Sequence, residues 1–224
     1  MYVEIYYANV TCLKDEDIFR RLYEKMPDDR RAAADRLRFD ADRRLSVGAF
    51  SLLRYALMKK GLTEVFPISS GEHGKPYFPD RRDLHFNLSH SGDVALCALS
   101  DRDIGCDAEK IRKPPFRVAE KFFSEEERKY VFSGGTEKER TNRFFKVWTL
   151  KESALKATGS GFTYPASSSS VVDASGKETA LTVSGDVFTP RAVTVARGYA
   201  SAFCVKGETA DPAIENVDLK ALDC

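Results

Sequence analysis

Three short apolar segments follow one another between residues 84 and 108, and this run constrains the fold more than any other part of the chain. The segments at 84–88, 93–99 and 102–108 are typical of strands and are separated only by Ser91-Gly92-Asp93 and Ser100-Asp101. Connections this short join antiparallel neighbours, because parallel strands need a long crossover. A strand over residues 1–7 and helices over about 15–25, 28–38 and 41–60 precede them. The first half therefore predicts helices packed on a small antiparallel sheet.

The second half repeats this order of elements. It opens at Lys113-Pro114-Pro115, and the capping box of Ser124 and Glu127 predicts a helix start. A long helix is predicted over about 137–157, followed by strand-like runs at 170–173, 180–183, 192–196 and 199–205. We predict an α+β fold of two similar α/β halves arranged as a pseudo-twofold dimer, over residues 1–112 and 113–224. The polar tail after Gly207 is predicted to be peripheral.

Composition narrows the classes of function. The 224 residues carry a net charge of only +1, which argues against bulk attraction to nucleic acid, so an anionic ligand needs a local basic pocket. No apolar run approaches the length that spans a bilayer. The five cysteines show no CxxC pair and no zinc-like spacing, and their odd number favours a reducing cytoplasm. We predict a soluble cytoplasmic protein in which Cys97, Cys106 and Cys204 are core residues.

Two acidic segments suggest a site for a divalent cation. Asp107 and Glu109 lie two apart on a predicted strand, so their carboxylates share one face. Glu152 and Lys156 lie four apart on the predicted long helix and share one side with Trp148. Magnesium prefers oxygen ligands and often binds one or two carboxylates together with substrate phosphates. If the two segments meet, they form a metal and phosphate site; otherwise Asp107 and Glu109 are ordinary surface acids.

Five motifs in series resemble those of the 4′-phosphopantetheinyl transferases. They are Gly74-Lys75-Pro76-Tyr77, Phe86-Asn87-Leu88-Ser89-His90-Ser91, Ile104-Gly105-Cys106-Asp107-Ala108-Glu109, Phe122-Phe123-Ser124-Glu125-Glu126-Glu127 and the run from Trp148 to Lys156. Their order and the chain length are similar to the monomeric, surfactin-type branch of that family, over about residues 28–165. The resemblance implies transfer of phosphopantetheine from coenzyme A to a serine of an acyl, peptidyl or aryl carrier protein, with release of 3′,5′-ADP.

The resemblance also implies roles for individual residues. Asp107, Glu109 and Glu152 match the acids that bind Mg²⁺, with Mn²⁺ as an alternative. Asp107, Glu152 and Lys156 form the implied catalytic set, with Glu152 as the candidate base for the serine proton and Lys156 facing the pyrophosphate. The implied coenzyme A contacts are Gly74, Lys75 and Pro76 along the adenine, Ser89 and His90 at the phosphates, and Arg30 and Arg44 as further cations. Where relatives often carry a second basic residue, this chain has Ala32-Ala33-Ala34.

Other interpretations remain open at this point. A non-catalytic coenzyme A scaffold and a metal-dependent pyrophosphate hydrolase use similar residues. Lys151 lies off the stripe of Trp148, Glu152 and Lys156, and it is predicted to be a solvated lysine of the helix face. We expect a monomer whose carrier protein docks on a basic and aromatic surface formed by Arg112, Lys113, Phe116, Lys121 and Phe122.

Overall fold

A computed structural model describes residues 2–62, 66–160, 166–208 and 211–222. The helices are α1 (Glu16–Glu24), α2 (Asp28–Asp35), α3 (Asp40–Lys59), α4 (Arg117–Phe122), α5 (Glu125–Phe132) and α6 (Glu137–Thr158). The strands are β1 (Val3–Asn9), β2 (Ser69–Ser70), β3 (Pro76–Tyr77), β4 (His85–Ser91), β5 (Val94–Ser100), β6 (Ile104–Lys110), β7 (Leu181–Val183), β8 (Asp186–Val193), β9 (Tyr199–Lys206) and β10 (Ala213–Asn216). Among these elements no helix combines the length and the apolar character needed to cross a bilayer.

Local sequence signals set the ends of the helices. The side chain of Ser124 accepts from the N–H of Glu127, whose carboxylate accepts in turn from the N–H of Ser124, which confirms the predicted capping box at α5. Thr136 caps the start of α6, and Gly159 ends that helix with a φ of 65°, a conformation that costs glycine little. The long helices predicted over 41–60 and 137–157 are confirmed to within about one residue.

Among the described residues the strands form two four-stranded sheets, with the orders β10-β1-β5-β4 and β6-β9-β8-β7, and a two-stranded sheet of β2 and β3. The prediction that residues 102–108 complete the first sheet is wrong, because β6 pairs with β9, from Ile104 opposite Val205 to Lys110 opposite Tyr199. An alternating pattern shows which residues share a face, but it does not show which strand lies alongside. The boundary at residue 112 remains a prediction.

The tail after Gly207 is not peripheral. Strand β10 runs parallel to β1 at the edge of the first sheet, and Val217, Leu219 and Leu222 are buried in the core beside α3. The prediction failed because it rested on the average polarity of the tail, whereas three separate apolar residues are enough to anchor it to a core.

Three apolar layers hold the molecule together. One lies between α3 and the first sheet, one lies between α6 and the second sheet, and the third lies where the two sheets face each other. Strand β6 contributes to both sides of its sheet. Ile104, Cys106 and Ala108 belong to the layer between the sheets, whereas Gly105 faces α6. Cys97, Cys106 and Cys204 are buried free thiols, which confirms that they are core residues. Cys224 lies outside the described residues.

Candidate active site

Side chains of β4 join the two sheets at their edges. The edge strand β4 lies beside β6, the edge strand of the other sheet, and three alternate β4 side chains accept hydrogen bonds from three alternate N–H groups of β6. The pairs are Asn87 Oδ1 with Cys106 N at 2.9 Å, Ser89 Oγ with Ala108 N at 3.3 Å and Ser91 Oγ with Lys110 N at 3.1 Å. This side-chain junction satisfies a strand edge that no backbone ladder covers.

The same serines orient the two acids of β6. Ser89 Oγ donates to Asp107 Oδ1 at 2.9 Å, and Ser91 Oγ donates to Glu109 Oε2 at 2.9 Å. Asp107 is 5% exposed, and its second oxygen, Oδ2, is buried without a hydrogen-bond partner among the described residues. A buried carboxylate oxygen without a partner is costly, so this atom has the character of a ligand position.

Helix α6 lies directly on β6 because residue 105 is glycine. A Cβ atom there would lie 2.1 Å from the carbonyl oxygen of Ser153 and 2.3 Å from the amide nitrogen of Ala157, both in the backbone of α6. Contacts of this length exclude any side chain. Gly105 thereby brings Glu152 and Lys156 of α6 over the face of β6 that carries Asp107 and Glu109, so the two sequence segments meet in the structure.

The ammonium of Lys156 is satisfied by protein groups. Its three N–H donors reach Asp107 Oδ1 at 2.7 Å, Ser89 Oγ at 3.1 Å and the carbonyl of Cys106 at 3.1 Å. Burial lowers the pKa of Lys156, but the charge and hydrogen bond of Asp107, together with the charges of Cys106 and Glu152, outweigh it, so the pKa is raised overall. Lys156 therefore stays charged and connects α6, β4 and β6.

Glu152 completes a group of three acids. Burial raises the pKa of its carboxyl, and the charges of Asp107 and Glu109 raise it further, although Lys156 opposes them. The three carboxylates therefore act on one another electrostatically. No three histidine, cysteine, aspartate or glutamate side chains are arranged as a ready metal shell in the part of the chain that the structure describes.

A cavity of about 280 Å³ opens beside this cluster. Its lining residues include Gly74, Lys75, Pro76, Glu152 and Lys156. Residues of the predicted adenine loop thus share one cavity with Glu152 and Lys156. The Lys75 ammonium is already bound, to Asp103 Oδ1 at 2.9 Å and to the carbonyl of Ala157 at 2.6 Å.

Of the remaining predicted coenzyme A residues, Arg30 and Arg44 do not line this cavity, whereas His90 lies close to the acids. Arg30 is 3.8 Å from Asp29, and Arg44 lines a separate cavity beside Phe19. His90 is exposed on β4 next to the acids. Partial desolvation and the charge of Lys156 lower the pKa of His90, so its ring is neutral at pH 7. The roles of these three residues remain predictions.

The prediction of a solvated Lys151 is wrong. Lys151 is 5% exposed, and its Nζ lies 2.8 and 2.7 Å from the two carboxylate oxygens of Glu127 and 2.8 Å from the carbonyl of Ser169. Helix α6 packs on both the sheet and α5, so a position off the predicted stripe is still interior. The sequence offered one signal, because a capping-box glutamate at α5 can accept from a lysine of a neighbouring helix.

Comparison with known proteins agrees with this geometry. A family model described as the 4′-phosphopantetheinyl transferase superfamily matches residues 103–204. The chain is 33% identical to the 4′-phosphopantetheinyl transferase HetI of Nostoc sp. over 168 residues, which cover 70% of each chain. It is 40% identical to Sfp of Bacillus subtilis over 103 residues, 46% of each chain. It is 36% identical to psf-1 of Bacillus pumilus over 142 residues, 62% of this chain and 60% of that one.

The chain therefore belongs to the 4′-phosphopantetheinyl transferase superfamily. Its similarity to Sfp and psf-1 places it in the surfactin-type branch of that superfamily. The chain spans about half the length of the curated relatives Sfp and psf-1, with 46% of Sfp and 60% of psf-1 covered.

Proposed function

We propose that this protein transfers 4′-phosphopantetheine from coenzyme A to a serine hydroxyl of an acyl, peptidyl or aryl carrier protein and releases 3′,5′-ADP. The observation that carries the proposal is the buried Oδ2 of Asp107, which has no hydrogen-bond partner among the described residues and lies next to the Lys156 ammonium, at a cavity that Lys156 and Glu152 line. The relatives HetI, Sfp and psf-1 carry the name of this activity.

Asp107, Glu109 and Glu152 fit a divalent cation, and we propose Mg²⁺, with Mn²⁺ as an alternative. The donor set is carboxylate oxygen, which hard cations prefer, and Asp107 Oδ2 has no competing partner among the described residues. When bound, the cation supplies positive charge to the pyrophosphate oxygens. Ser89 donates to one carboxylate oxygen of Asp107 and Ser91 to one of Glu109, so neither serine occupies the second oxygen, which could bind the cation.

In the proposed reaction the carrier serine oxygen attacks the β-phosphorus of coenzyme A. A new P–O bond forms, the bond from that phosphorus to the bridging oxygen breaks, and the leaving oxygen stays with 3′,5′-ADP. Glu152 takes the serine proton, directly or through a water, and its raised pKa makes it a stronger base than an ordinary glutamate. The Lys156 charge lies beside the charge that develops on the leaving group.

Coenzyme A binding is assigned to three groups of residues. Gly74, Lys75 and Pro76 line the cavity and are proposed to lie along the adenine. Ser89 and His90 are proposed to contact the phosphates, and Arg30 and Arg44 are proposed to supply further cations.

The carrier protein is proposed to dock on a surface formed by residues that follow β6 in the chain: Arg112, Lys113, Phe116, Lys121 and Phe122. Arg112, Lys113 and Lys121 are exposed, while Phe116 and Phe122 are half-buried against the core around α6. This mixture suits an acidic partner with an apolar contact. We further propose that the protein works in the cytoplasm as a monomer and that its two four-stranded sheets are related by a pseudo-twofold axis.

Mass spectrometry of an intact apo carrier tests the activity. The carrier is incubated with this protein, coenzyme A and Mg²⁺, and a gain of the phosphopantetheine mass that a chelator abolishes is the expected result. No gain on fatty-acid, polyketide or peptidyl carriers, despite measurable coenzyme A binding, would favour a non-catalytic scaffold. Release of phosphopantetheine without a carrier would favour a hydrolase.

A further inference from the structure

The loop Gly71–Lys75 connects β2 to β3 and forms a wall of the candidate active site. It is folded by its own hydrogen bonds, from Gly71 N to the carbonyl of Lys75 and from Gly74 N to the carbonyl of Gly71, both at 2.9 Å. Gly74 has a φ of 80°, which favours glycine. These internal bonds set the shape of the loop but not its place in the molecule.

The loop is a thin wall with open space on both sides. Lys75, Pro76 and Gly159 line the active-site cavity of about 280 Å³, and they also line a second cavity of about 300 Å³ behind the loop. Asp103 and His85 line only the second of these two cavities. A segment with space behind it needs anchoring contacts to stay in position.

Lys75 supplies the main anchor. Its side chain is 17% exposed, and its Nζ contacts Asp103 Oδ1 at 2.9 Å and the carbonyl of Ala157, in the last turn of α6, at 2.6 Å. A cation near the carboxyl end of a helix also interacts favourably with the helix dipole. The ammonium is therefore committed to the protein and holds the loop against the end of α6.

Asp103 connects three parts of the fold. It precedes β6, it accepts from Lys75, and its Oδ1 lies 3.4 Å from Nδ1 of His85 at the start of β4. Hydrogen bonding to His85 and the charge of Lys75 hold the pKa of Asp103 well below its usual range, although burial opposes them. Asp103 therefore remains ionised at neutral pH.

We propose that Asp103 is a positioning residue that holds the Gly71–Lys75 loop where it can bind the adenosine part of coenzyme A. The inference rests on the proposed function, since that function makes coenzyme A the ligand. Asp103 acts through Lys75, and it lines the cavity behind the loop rather than the active-site cavity.

The test compares Asp103→Asn, Lys75→Met and the double variant with the wild type. Asp103→Asn keeps the shape of the side chain but removes its charge, and Lys75→Met keeps an apolar stem. Each is expected to raise KM for coenzyme A about tenfold with kcat within about twofold, because a hydrogen-bonded charge pair is lost but the reacting groups are untouched. The double variant should be no worse than either single variant, because both act through one contact.

Asp186→Asn is the matched control. Asp186 is an exposed acid that pairs with Lys206 at 2.7 Å, and it does not line the loop cavities. Its KM for coenzyme A should equal that of the wild type. The dissociation constant of 3′,5′-ADP is measured by calorimetry in the absence of a carrier, so no transfer takes place. In Asp103→Asn it should rise by the same factor as KM.

Three results would overturn the inference: unchanged 3′,5′-ADP affinity in Asp103→Asn, a fall in kcat at constant KM, or multiplicative effects in the double variant. A wild type that binds 3′,5′-ADP but transfers nothing would overturn the proposed function instead. The binding comparison then still decides the role of Asp103. Melting temperatures establish that each variant is folded.

Discussion

At the scale of single residues, Glu152 lowers the stability of the folded protein at neutral pH, although the proposed function requires it. Its pKa is raised above 4.5 by burial and by Asp107 and Glu109, so the folded protein binds this proton more tightly than the unfolded chain does. The resulting stability is present below the unfolded pKa and is lost as the pH rises through the folded pKa. At neutral pH an ionised Glu152 therefore costs free energy of folding, and the proposed function uses that ionised carboxylate as a base and a metal ligand.

Replacing Glu152→Gln should stabilise the protein and abolish transfer. The melting temperature of the variant should exceed that of the wild type at about pH 8 and match it at about pH 4, where the wild-type side chain is protonated. Thermal unfolding without metal at both pH values measures this, with Glu125→Gln as an exposed control. A variant that melts below the wild type at the higher pH, or that still transfers, contradicts the assignment.

Replacing one partner of the buried Lys151–Glu127 pair should destabilise the protein, in contrast to the stabilisation expected for Glu152→Gln. Lys151→Met leaves the carboxylate of Glu127, which is 0% exposed, without its ammonium partner. Loss of one partner of such a pair costs about 3 to 5 kcal/mol, whereas an apolar replacement of both partners is often nearly neutral. Urea unfolding should therefore show a large loss in Lys151→Met and a partial recovery in the double variant with Glu127→Leu. Equal stability of Lys151→Met and the wild type would show that the pair is not buried in solution.

At the scale of elements, the site depends on how closely α6 approaches β6. The approach is fixed by backbone contacts at Gly105, and it brings Glu152 and Lys156 to the face that carries Asp107. The serines of β4 then fix the acids from the other side. Two strand edges and one helix thus converge on the site, and a shift of any of them separates the acids.

Gly105→Ala should therefore disturb both folding and transfer. The new methyl group would meet the backbone of α6 at 2.1 to 2.3 Å, so the helix must move away from β6. We expect a stability loss of about 1 to 3 kcal/mol, as for other overpacked sites, together with a large loss of kcat. Gly135→Ala is the control, since among the described residues its Cβ would have only the Glu139 carboxylate within 4 Å, at 3.8 Å. A variant with wild-type stability and kcat would contradict this account of the packing.

At the scale of the whole molecule, each sheet takes a strand from a distant part of the chain. β6 joins the later strands β7 to β9, and β10 returns to pair with β1. The two sheets then share the apolar layer between them. This exchange couples the folding of the N-terminal and C-terminal parts of the protein.

Leu219→Ala tests that coupling. Leu219 is 1% exposed and belongs to the core beside α3, although it follows the last strand in sequence. Its truncation should cost about 2 to 5 kcal/mol, as for other buried leucines. Ile214→Ala, in the same tail but 41% exposed, should cost far less. Chemical denaturation measures both, and similar small losses in the two variants would mean that the tail is not part of the core.

Much of this structure could be predicted from the sequence because it depends on local chemistry. Capping residues and apolar periodicity gave the ends of α5 and α6, and a period of two placed Asp107 and Glu109 on one face. The order of the motifs gave the family. Caps and periodicity depend on residues that lie only a few positions apart in the chain.

Other features were decided only by tertiary structure. The partner of β6, the side-chain junction from β4 and the burial of Lys151 all depend on groups that lie 18 or more residues apart in the chain. Periodicity shows which face of a strand or helix is apolar, whereas the identity of the partner is set by long-range hydrogen bonding and packing. The sequence therefore determined which residues could form the site. The fold decided which oxygen of Asp107 has no partner among the described residues and which lysine contacts Asp103.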